Sequence, residues 1–584
     1  MKEFIVKSYG KKGEKIVNMN YAAVDRGIAE VKKVNVPESW KYATEDKKAA
    51  KGERPDFIKN IVDVMNGQKG DTLPVSAFKC IEDGTFEHGT AAYEKRGIAV
   101  DVPEWNPDEC IACNQCAFVC PHACIRPFVL TDDEASKAPE SVKILQAKNP
   151  KLKDFKFVMQ VDIMDCTGCG NCLASCPKEK ALVMKPLESQ ESQVAAWDYV
   201  INLPHKDNPL DKNTVPGSQF EQPLLEFSGS CAGCAETAYA RLITQLFGDR
   251  MYIANATGCS SIWGGSAPST PYTTNYKGQG PAWCNSLFED NAEFGLGMYT
   301  GVKQQRELLK SKVEALVAEA TKDEVKNAAQ AWLDTMMKGE ESKKTSADLV
   351  AVLEACGCDN ENVKYILDNK EHLVKKSQWI FGGDGWSYDI GFGGVDHVLA
   401  SGEDVNIFVF DTEVYSNTGG QASKATPTAA IAKFAAAGKR VRKKDLGMIA
   451  KSYGYVYVAQ VCMGADKNQL IKALVEAESY PGPSLIIAYA PCINHGLGRS
   501  NLHTEAKKAV ECGYWQLYRY NPEGEVFTLD SKEPTGDFKE FLKGGVRYTS
   551  LTRAFPEIAE DLFDKCAEDA KRRIEGYKKL AGQA

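Results

Sequence analysis

Cys110-Ile-Ala-Cys113-Asn-Gln-Cys116-Ala-Phe-Val-Cys120-Pro121 recurs, with the same spacing, as Cys166-Thr-Gly-Cys169-Gly-Asn-Cys172-Leu-Ala-Ser-Cys176-Pro177. Each copy reads C-x2-C-x2-C-x3-C-P, a run that holds a [4Fe–4S] cluster and lends its fourth cysteine to a neighbouring cluster. One cluster is therefore expected on Cys110, Cys113, Cys116 and Cys176, and a second on Cys166, Cys169, Cys172 and Cys120. The proline after each fourth cysteine cannot continue a helix and turns the chain away. Paired C-x2-C motifs also bind zinc, but zinc explains neither the third cysteine nor the repeated x3-C-P. The pattern implies electron transfer.

Outward from these runs, the chain has 584 residues, 43% of them hydrophobic and 26% charged. That is the composition of an ordinary globular protein, long enough for about three or four domains. The net charge of −8 and the lack of a basic arm argue against nucleic acid. The short run Lys439-Arg-Val-Arg-Lys-Lys444 is expected to be a solvated face. The 20 cysteines cluster as metal ligands do in a reducing compartment rather than as a disulfide framework. No secretion signal stands at the N-terminus and no run is long enough to span a membrane, so no membrane association and a cytoplasmic location are expected.

Residues 1–46 begin in a strand-like way and continue in a helical pattern, with Val24, Ile28 and Val31 on one face; they resemble the tail of a preceding domain. Residues 47–100 form a small connecting domain in which Leu73–Phe78 and Asp83–Phe86 suggest short strands and turns. The two cysteine runs lie in a small α+β ferredoxin-like domain, 101–187. Prolines 204, 209, 216 and 223 mark 188–222 as an extended linker. From 223 to 584, strand-like runs such as Met251–Asn255, Gln378–Phe381, Val405–Phe410 and Ser484–Tyr489 alternate with helical patterns. That alternation predicts an α/β domain, a doubly wound and mainly parallel sheet with helices on both faces.

In this last domain Gly383-Asp384-Gly385 follows one strand, and Thr412-Glu-Val414-Tyr-Ser416-Asn417 follows another. Ligands of open α/β sheets sit at such carboxyl ends. One carboxylate with nearby hydroxyl and backbone oxygens suits Mg²⁺ shared with a phosphate. The spacing resembles the thiamine-diphosphate motif, except that Thr412 stands where the general motif has Asn. Cys231, Cys234, Cys259 and Cys492 lie apart from the two runs. Four such thiolates serve a zinc ion, a third [4Fe–4S] cluster or a redox-active C-x2-C pair. His495, three residues beyond Cys492, is as consistent with packing as with a place at the site. Other cysteines, among them Cys80, Cys124, Cys284, Cys462, Cys512 and Cys566, are expected to be buried thiols.

Taken together, Gly89-Thr-Ala-Ala-Tyr-Glu-Lys-Arg96, both cysteine runs, Ser228–Thr237, Ala256–Gly264, Gly382–Gly391, Asp411–Gln421 and Tyr489–Gly496 resemble the C-terminal half of the pyruvate:ferredoxin (flavodoxin) oxidoreductases. The resemblance covers nearly the whole chain. It implies oxidative decarboxylation of pyruvate to acetyl-CoA and CO2, with electrons leaving through three [4Fe–4S] clusters to ferredoxin or flavodoxin. On this reading Cys231, Cys234, Cys259 and Cys492 hold the cluster nearest the thiamine diphosphate, and Asp384, Thr412 and the Val414 carbonyl bind Mg²⁺. Glu236, Thr257, Cys259, Gly383, Gly385, Trp386, Ser416 and Asn417 line the cofactor, with Asn417 as the catalytic residue closest to the reacting carbon. In this family Thr412 agrees with the pattern. The resemblance also implies that the catalytic glutamate, the substrate-binding residues and most of the CoA site come from an N-terminal half or second subunit, in a homo-oligomer. Another 2-oxoacid, such as 2-oxoglutarate or indolepyruvate, is the nearest alternative substrate. A pure electron carrier would explain the ferredoxin-like domain alone.

Overall fold

The computed structural model describes residues 1–42, 54–265, 268–357, 360–498 and 502–582. They divide into two compact units, Met1–Pro55 and Asp56–Ala584; the expected boundary at 46/47 lies outside the described residues. In the first unit the strand-like start is a helix, Lys2–Tyr9, followed by a second, Glu14–Ala29. Neither buries a residue, and Ile28 and Val31 are exposed. Two short helices cannot enclose a core of their own.

The second unit starts with helical turns. Phe57, Ile58, Ile61 and Val62 pack together, and the stretch expected to hold a strand, Leu73–Phe78, becomes a 3₁₀ segment over Val75–Ile81. The ferredoxin-like part follows with β1 (Asp101–Trp105), β2 (Ile125–Leu130), β3 (Lys156–Val161) and β4 (Leu182–Pro186). β1 pairs antiparallel with β4 and β2 with β3, so the two cysteine runs, one after β1 and one after β3, face each other in a closed unit. The stretch 188–222 is not extended. It contains the helix Ser192–Ile201, whose Ala196, Trp197 and Val200 are buried. The i, i+1, i+4 spacing of these apolar residues outweighs the prolines downstream of it.

Among the described residues the main sheet contains β5 (Met251–Ala256), β6 (Ala282–Ser286), β7 (Ser377–Gly383), β8 (Asn406–Asp411), β9 (Tyr457–Val461), β10 (Ser484–Tyr489), β11 (Tyr518–Asn521) and β12 (Val526–Leu529). Their order is β12-β11-β9-β10-β8-β7-β5-β6. β5 to β10 are parallel, and β11 and β12 close one edge antiparallel. Central strands read as unbroken apolar runs because both faces are covered. Along β8, Ile407 and Val409 enter one core while Phe408 and Phe410 enter the other. The second core also takes Phe118 and Val119 from the first cysteine run and most of the fully buried helix Ala235–Phe247. The ferredoxin-like part is thus packed into the α/β domain. Between β6 and β7 the chain makes a helical excursion, Asn291–Glu319, Asp323–Thr335, Gly339–Cys356 and Glu361–Asp368, around Leu309, Val313, Trp332 and Leu349.

Candidate functional site

The loops after β5, β7, β8 and β10 converge at the carboxyl edge of the sheet, and they carry Thr257 and Cys259, Asp384 to Trp386, Thr412 to Asn417, and Cys492 respectively. Thr412 Oγ1 lies 2.8 Å from Asp384 Oδ1 and 2.9 Å from the Val414 carbonyl oxygen. Ser423 Oγ donates to the other Asp384 oxygen at 2.5 Å. Burial, then the neighbouring Asp411, pushes the Asp384 carboxyl up to about 7 against these hydrogen bonds. A carboxylate, a hydroxyl and a carbonyl gathered this closely in a buried place form a donor set for a hard divalent cation.

Glu413, between Thr412 and Val414, is buried and has a left-handed backbone, φ +59°. Its side chain turns away from the oxygen cluster and meets Arg547 Nη2 at 2.6 Å, Lys443 Nζ at 3.0 Å and Tyr514 Oη at 2.5 Å. Burial opposes its charge, but Lys443 and Arg547 win and hold its carboxyl down at about 2. Lys443 also pairs with Asp411 at 2.7 Å. The basic run is therefore not wholly a solvated face: two buried carboxylates draw Lys443 inward. His495 joins this network, its Nε2 standing 2.7 Å from the Thr412 carbonyl and 3.2 Å from Arg547 Nη1. Burial and Arg547 push its ring down to about 3, so it is neutral.

The loop glycines make room for aromatic walls. A Cβ on Gly382 would meet the Trp386 ring at 2.3 Å, and one on Gly385 would meet Tyr415 at 2.6 Å. Trp386 itself is fully buried behind them. Glu236, also buried, accepts from Trp263 Nε1 at 2.8 Å, and burial pushes its carboxyl up to about 7. Thr257 and Asn417 are exposed, and Thr257 Oγ1 donates to the Ser286 carbonyl. Cys259 Sγ lies 3.3 Å from Ser416 Oγ, which joins the thiol to the loop after β8. Cys234, Cys259 and Cys492 are electrostatic neighbours, and Cys492 feels Cys231 in turn.

In the ferredoxin-like part, Cys120, Cys166, Cys169 and Cys172 line one cavity together with His122, Thr167 and Asn171. Cys110, Cys113, Cys116 and Cys176 line another beside Trp105 and Met159. Among the described residues no three His, Cys, Asp or Glu side chains converge tightly enough to ligate a single ion. Four thiols ringing one void are a donor set that suits a four-iron cluster. The two runs share one backbone shape: Ala112 and Asn114 in the first and Gly168 and Gly170 in the second all have positive φ. This curl directs amide N–H groups at sulfur, Ala112 to Cys110 and Gly168 to Cys166, both at 3.4 Å. Burial pushes the Cys166 thiol up to about 12 and Cys169 to about 11, so the thiolates need a cationic partner to form there. The cavity around Cys166 abuts the Cys231 loop: Asn171 Nδ2 donates to the Gly233 carbonyl at 3.4 Å, and His122 Nδ1 lies 3.1 Å from the Ser228 carbonyl. The other cavity ends at the surface, at Cys176 and the exposed Pro177 and Lys178.

Sequence reasoning missed Lys443, Arg547, Glu413 and Ser423, because their partners lie far away along the chain. It also took Cys80 and Cys284 for buried thiols, whereas both are exposed. Among the described residues no helix is long and apolar enough to cross a membrane.

Known proteins agree with this layout. Residues 109–180 match the 4Fe–4S dicluster domain family and 372–488 the C-terminal TPP-binding domain of thiamine pyrophosphate enzymes. Residues 43–99 match a family described as a domain of unknown function. The chain is 56% identical over 598 residues to a pyruvate-flavodoxin oxidoreductase of Enterobacter agglomerans and 55% over 594 to one of Klebsiella pneumoniae. It is 54% identical over 593 residues to a pyruvate:ferredoxin oxidoreductase of Moorella thermoacetica. Each alignment takes in 100% of this chain and 50% of the relative, so the chain spans about half the length of these curated relatives.

Proposed function

The chain belongs to the pyruvate:ferredoxin (flavodoxin) oxidoreductase family, and from that premise we propose that it is the thiamine-diphosphate and cluster-bearing half of an enzyme that oxidises pyruvate to acetyl-CoA and CO2. The observation that carries the proposal is the contact of Cys259 Sγ with Ser416 Oγ at 3.3 Å. It sets a thiol of the four-cysteine group against the loop that also contributes the oxygen cluster.

In this reading Asp384, Thr412 and the Val414 carbonyl hold Mg²⁺, and Glu236, Thr257, Cys259, Gly383, Gly385, Trp386, Ser416 and Asn417 line the cofactor. Thiamine diphosphate, when bound, supplies the electron sink for decarboxylating a 2-oxoacid. The chain's own work is to orient that cofactor, to exclude water with Trp386 and its neighbours, and to lead electrons away. Cys231, Cys234, Cys259 and Cys492 hold a third cluster beside the cofactor. The set on Cys120, Cys166, Cys169 and Cys172 comes next, and the set on Cys110, Cys113, Cys116 and Cys176 is outermost. Ferredoxin or flavodoxin collects electrons beside Cys176 and Lys178. The catalytic glutamate, the substrate-binding residues and most of the CoA site belong to an N-terminal half or partner subunit, within a cytoplasmic homo-oligomer.

The test is anaerobic purification, iron and sulfide analysis, and viologen reduction with pyruvate, CoA, thiamine diphosphate and Mg²⁺, with and without the partner half. About twelve irons per chain, as three four-iron clusters require, and turnover only on mixing are expected. Robust turnover by the chain alone would overturn the division of labour.

A further inference from the structure

We propose that Glu94-Lys95-Arg96 is a positioning clamp that sets the separation of the inner ferredoxin-type cluster from the cluster on Cys231, Cys234, Cys259 and Cys492, a role that rests on the cluster assignment above. The three residues lie within 43–99, the segment whose family has no assigned function.

The residues just before the triplet are tied to the α/β domain. Gly89 N–H donates to the Tyr272 carbonyl at 2.7 Å, Ala91 N–H to that of Thr270 at 3.2 Å, and Thr270 N–H returns to the buried Thr90 Oγ1 at 2.6 Å. From this anchor Lys95 reaches one way, to Asp162 at 2.5 Å and Asp165 at 2.7 Å. Both carboxylates are buried in the turn that leads into Cys166. Immediately after the triplet, Gly97 N–H donates to the carbonyl of Met164 in the same turn, at 2.7 Å. Arg96 reaches the other way: it pairs with Glu94, and its Nη1 donates to the carbonyls of Phe227 at 3.2 Å and Ser228 at 3.5 Å, on the approach to Cys231.

Adjacent residues thus hold the segments that open two different cysteine sets. Phe227 is the point where they meet. Its backbone is left-handed, φ +53°, its N–H donates to the His122 carbonyl at 2.9 Å, and Lys95 Nζ lies 4.9 Å from its ring centroid. Charge-assisted hydrogen bonds fix direction as well as distance, which an apolar contact does not. Electron tunnelling falls steeply with separation, so a junction between two redox centres gains from being held this way. Lys95 is half-buried, and the two buried carboxylates it meets are costly to leave unpaired.

The test uses the full chain with its clusters assembled, and compares wild type with R96Q, R96K and K95R. Iron and sulfide content reports assembly. Electron paramagnetic resonance of the fully reduced protein reports the magnetic interaction between neighbouring clusters, which a merely structural role would leave unchanged once all clusters are present. At full iron content R96Q is expected to lose interaction splitting between the inner and cofactor-side clusters, while K95R, which keeps the charge, retains it. An unchanged splitting in R96Q at full iron content would overturn the clamp. Should R96Q lose iron, R96K decides, since lysine keeps the charge but offers one nitrogen where Arg96 uses Nη2 on Glu94 and Nη1 on the two carbonyls; unchanged splitting there also overturns it. A wild-type protein without a third cluster would instead overturn the assignment on which the clamp rests.

Discussion

His495 Nε2 lies 2.7 Å from the carbonyl oxygen of Thr412. The carbonyl at 2.7 Å can only accept and Arg547 Nη1 at 3.2 Å can only donate, so the shorter contact assigns the hydrogen to Nε2, and the loop bearing Cys492 is thereby fastened to the loop bearing the oxygen cluster. Removing the donor leaves a buried carbonyl unpaired, at a cost of about 1–3 kcal/mol. H495A is expected to weaken Mg²⁺-dependent thiamine diphosphate binding by a comparable amount in calorimetry, and unchanged affinity would show that the fastening is idle.

Lys443 is the shared cation of Asp411 and Glu413. K443M leaves the buried Asp411 without its cation and Glu413 with Arg547, and breaking a buried pair from one side costs about 3–5 kcal/mol. Thermal unfolding should show that loss, and the double variant K443M/D411N, which neutralises the carboxylate left without a cation, should recover part of it. Equal melting temperatures for wild type and K443M would mean that the network carries no stability.

The crosswise thiol sets give a prediction about which iron is lost. C176S should remove the cluster built mainly on the first run, about four of about twelve irons, and leave the deeper cluster's paramagnetic signal intact. Loss of the deeper signal instead would reverse the assignment of fourth cysteines.

Gly168 has φ +65°, and a Cβ there would meet the Asp101 carbonyl at 2.8 Å. In G168A a left-handed alanine adds about 1–2 kcal/mol of strain to that clash. The expected result is selective loss of the cluster on Cys166, Cys169, Cys172 and Cys120, read from iron content and spectra. Full iron in G168A would show that the loop can relax.

His503 is buried on the helix Leu502–Glu511, and burial, then Lys467, pushes its ring from 6.5 down to about 4. The unfolded chain therefore takes up a proton first as pH falls. Stability is full above pH 6.5 and declines as pH drops toward 4, by up to about 3 kcal/mol from this group. Melting temperatures measured across that window should fall more steeply for wild type than for H503L; parallel curves would remove His503 as the cause.

How much could be read in advance depended on the length scale. Each cysteine run is one local loop, and its spacing alone specifies three thiolates around a void. The central strands β5, β7, β8 and β10 were legible as apolar runs, since a parallel strand is buried on both faces and shows no polar alternation; β6, β9, β11 and β12 were not read. The stretch 188–222 misled because its prolines were conspicuous, while Ala196, Trp197 and Val200 specify a helix only once β3 is there to receive them.

The sequence by itself determined the local chemistry: which thiols of the two runs come in sets and which loops follow strands. Local spacing carries that information, because neighbours in a loop or at a strand end need no partner to be placed. Only the tertiary structure decided which cysteine set lies against the Cys231 loop, that Lys443 turns inward to two buried carboxylates, and that Lys95 and Arg96 reach different segments. Those facts belong to contacts such as Arg547 with Glu413, where |i−j| is 134, and Arg96 with Phe227, where it is 131. No periodicity records such pairs. They arise when packing brings distant segments together, and a buried charge such as Glu413 then costs more alone than paired.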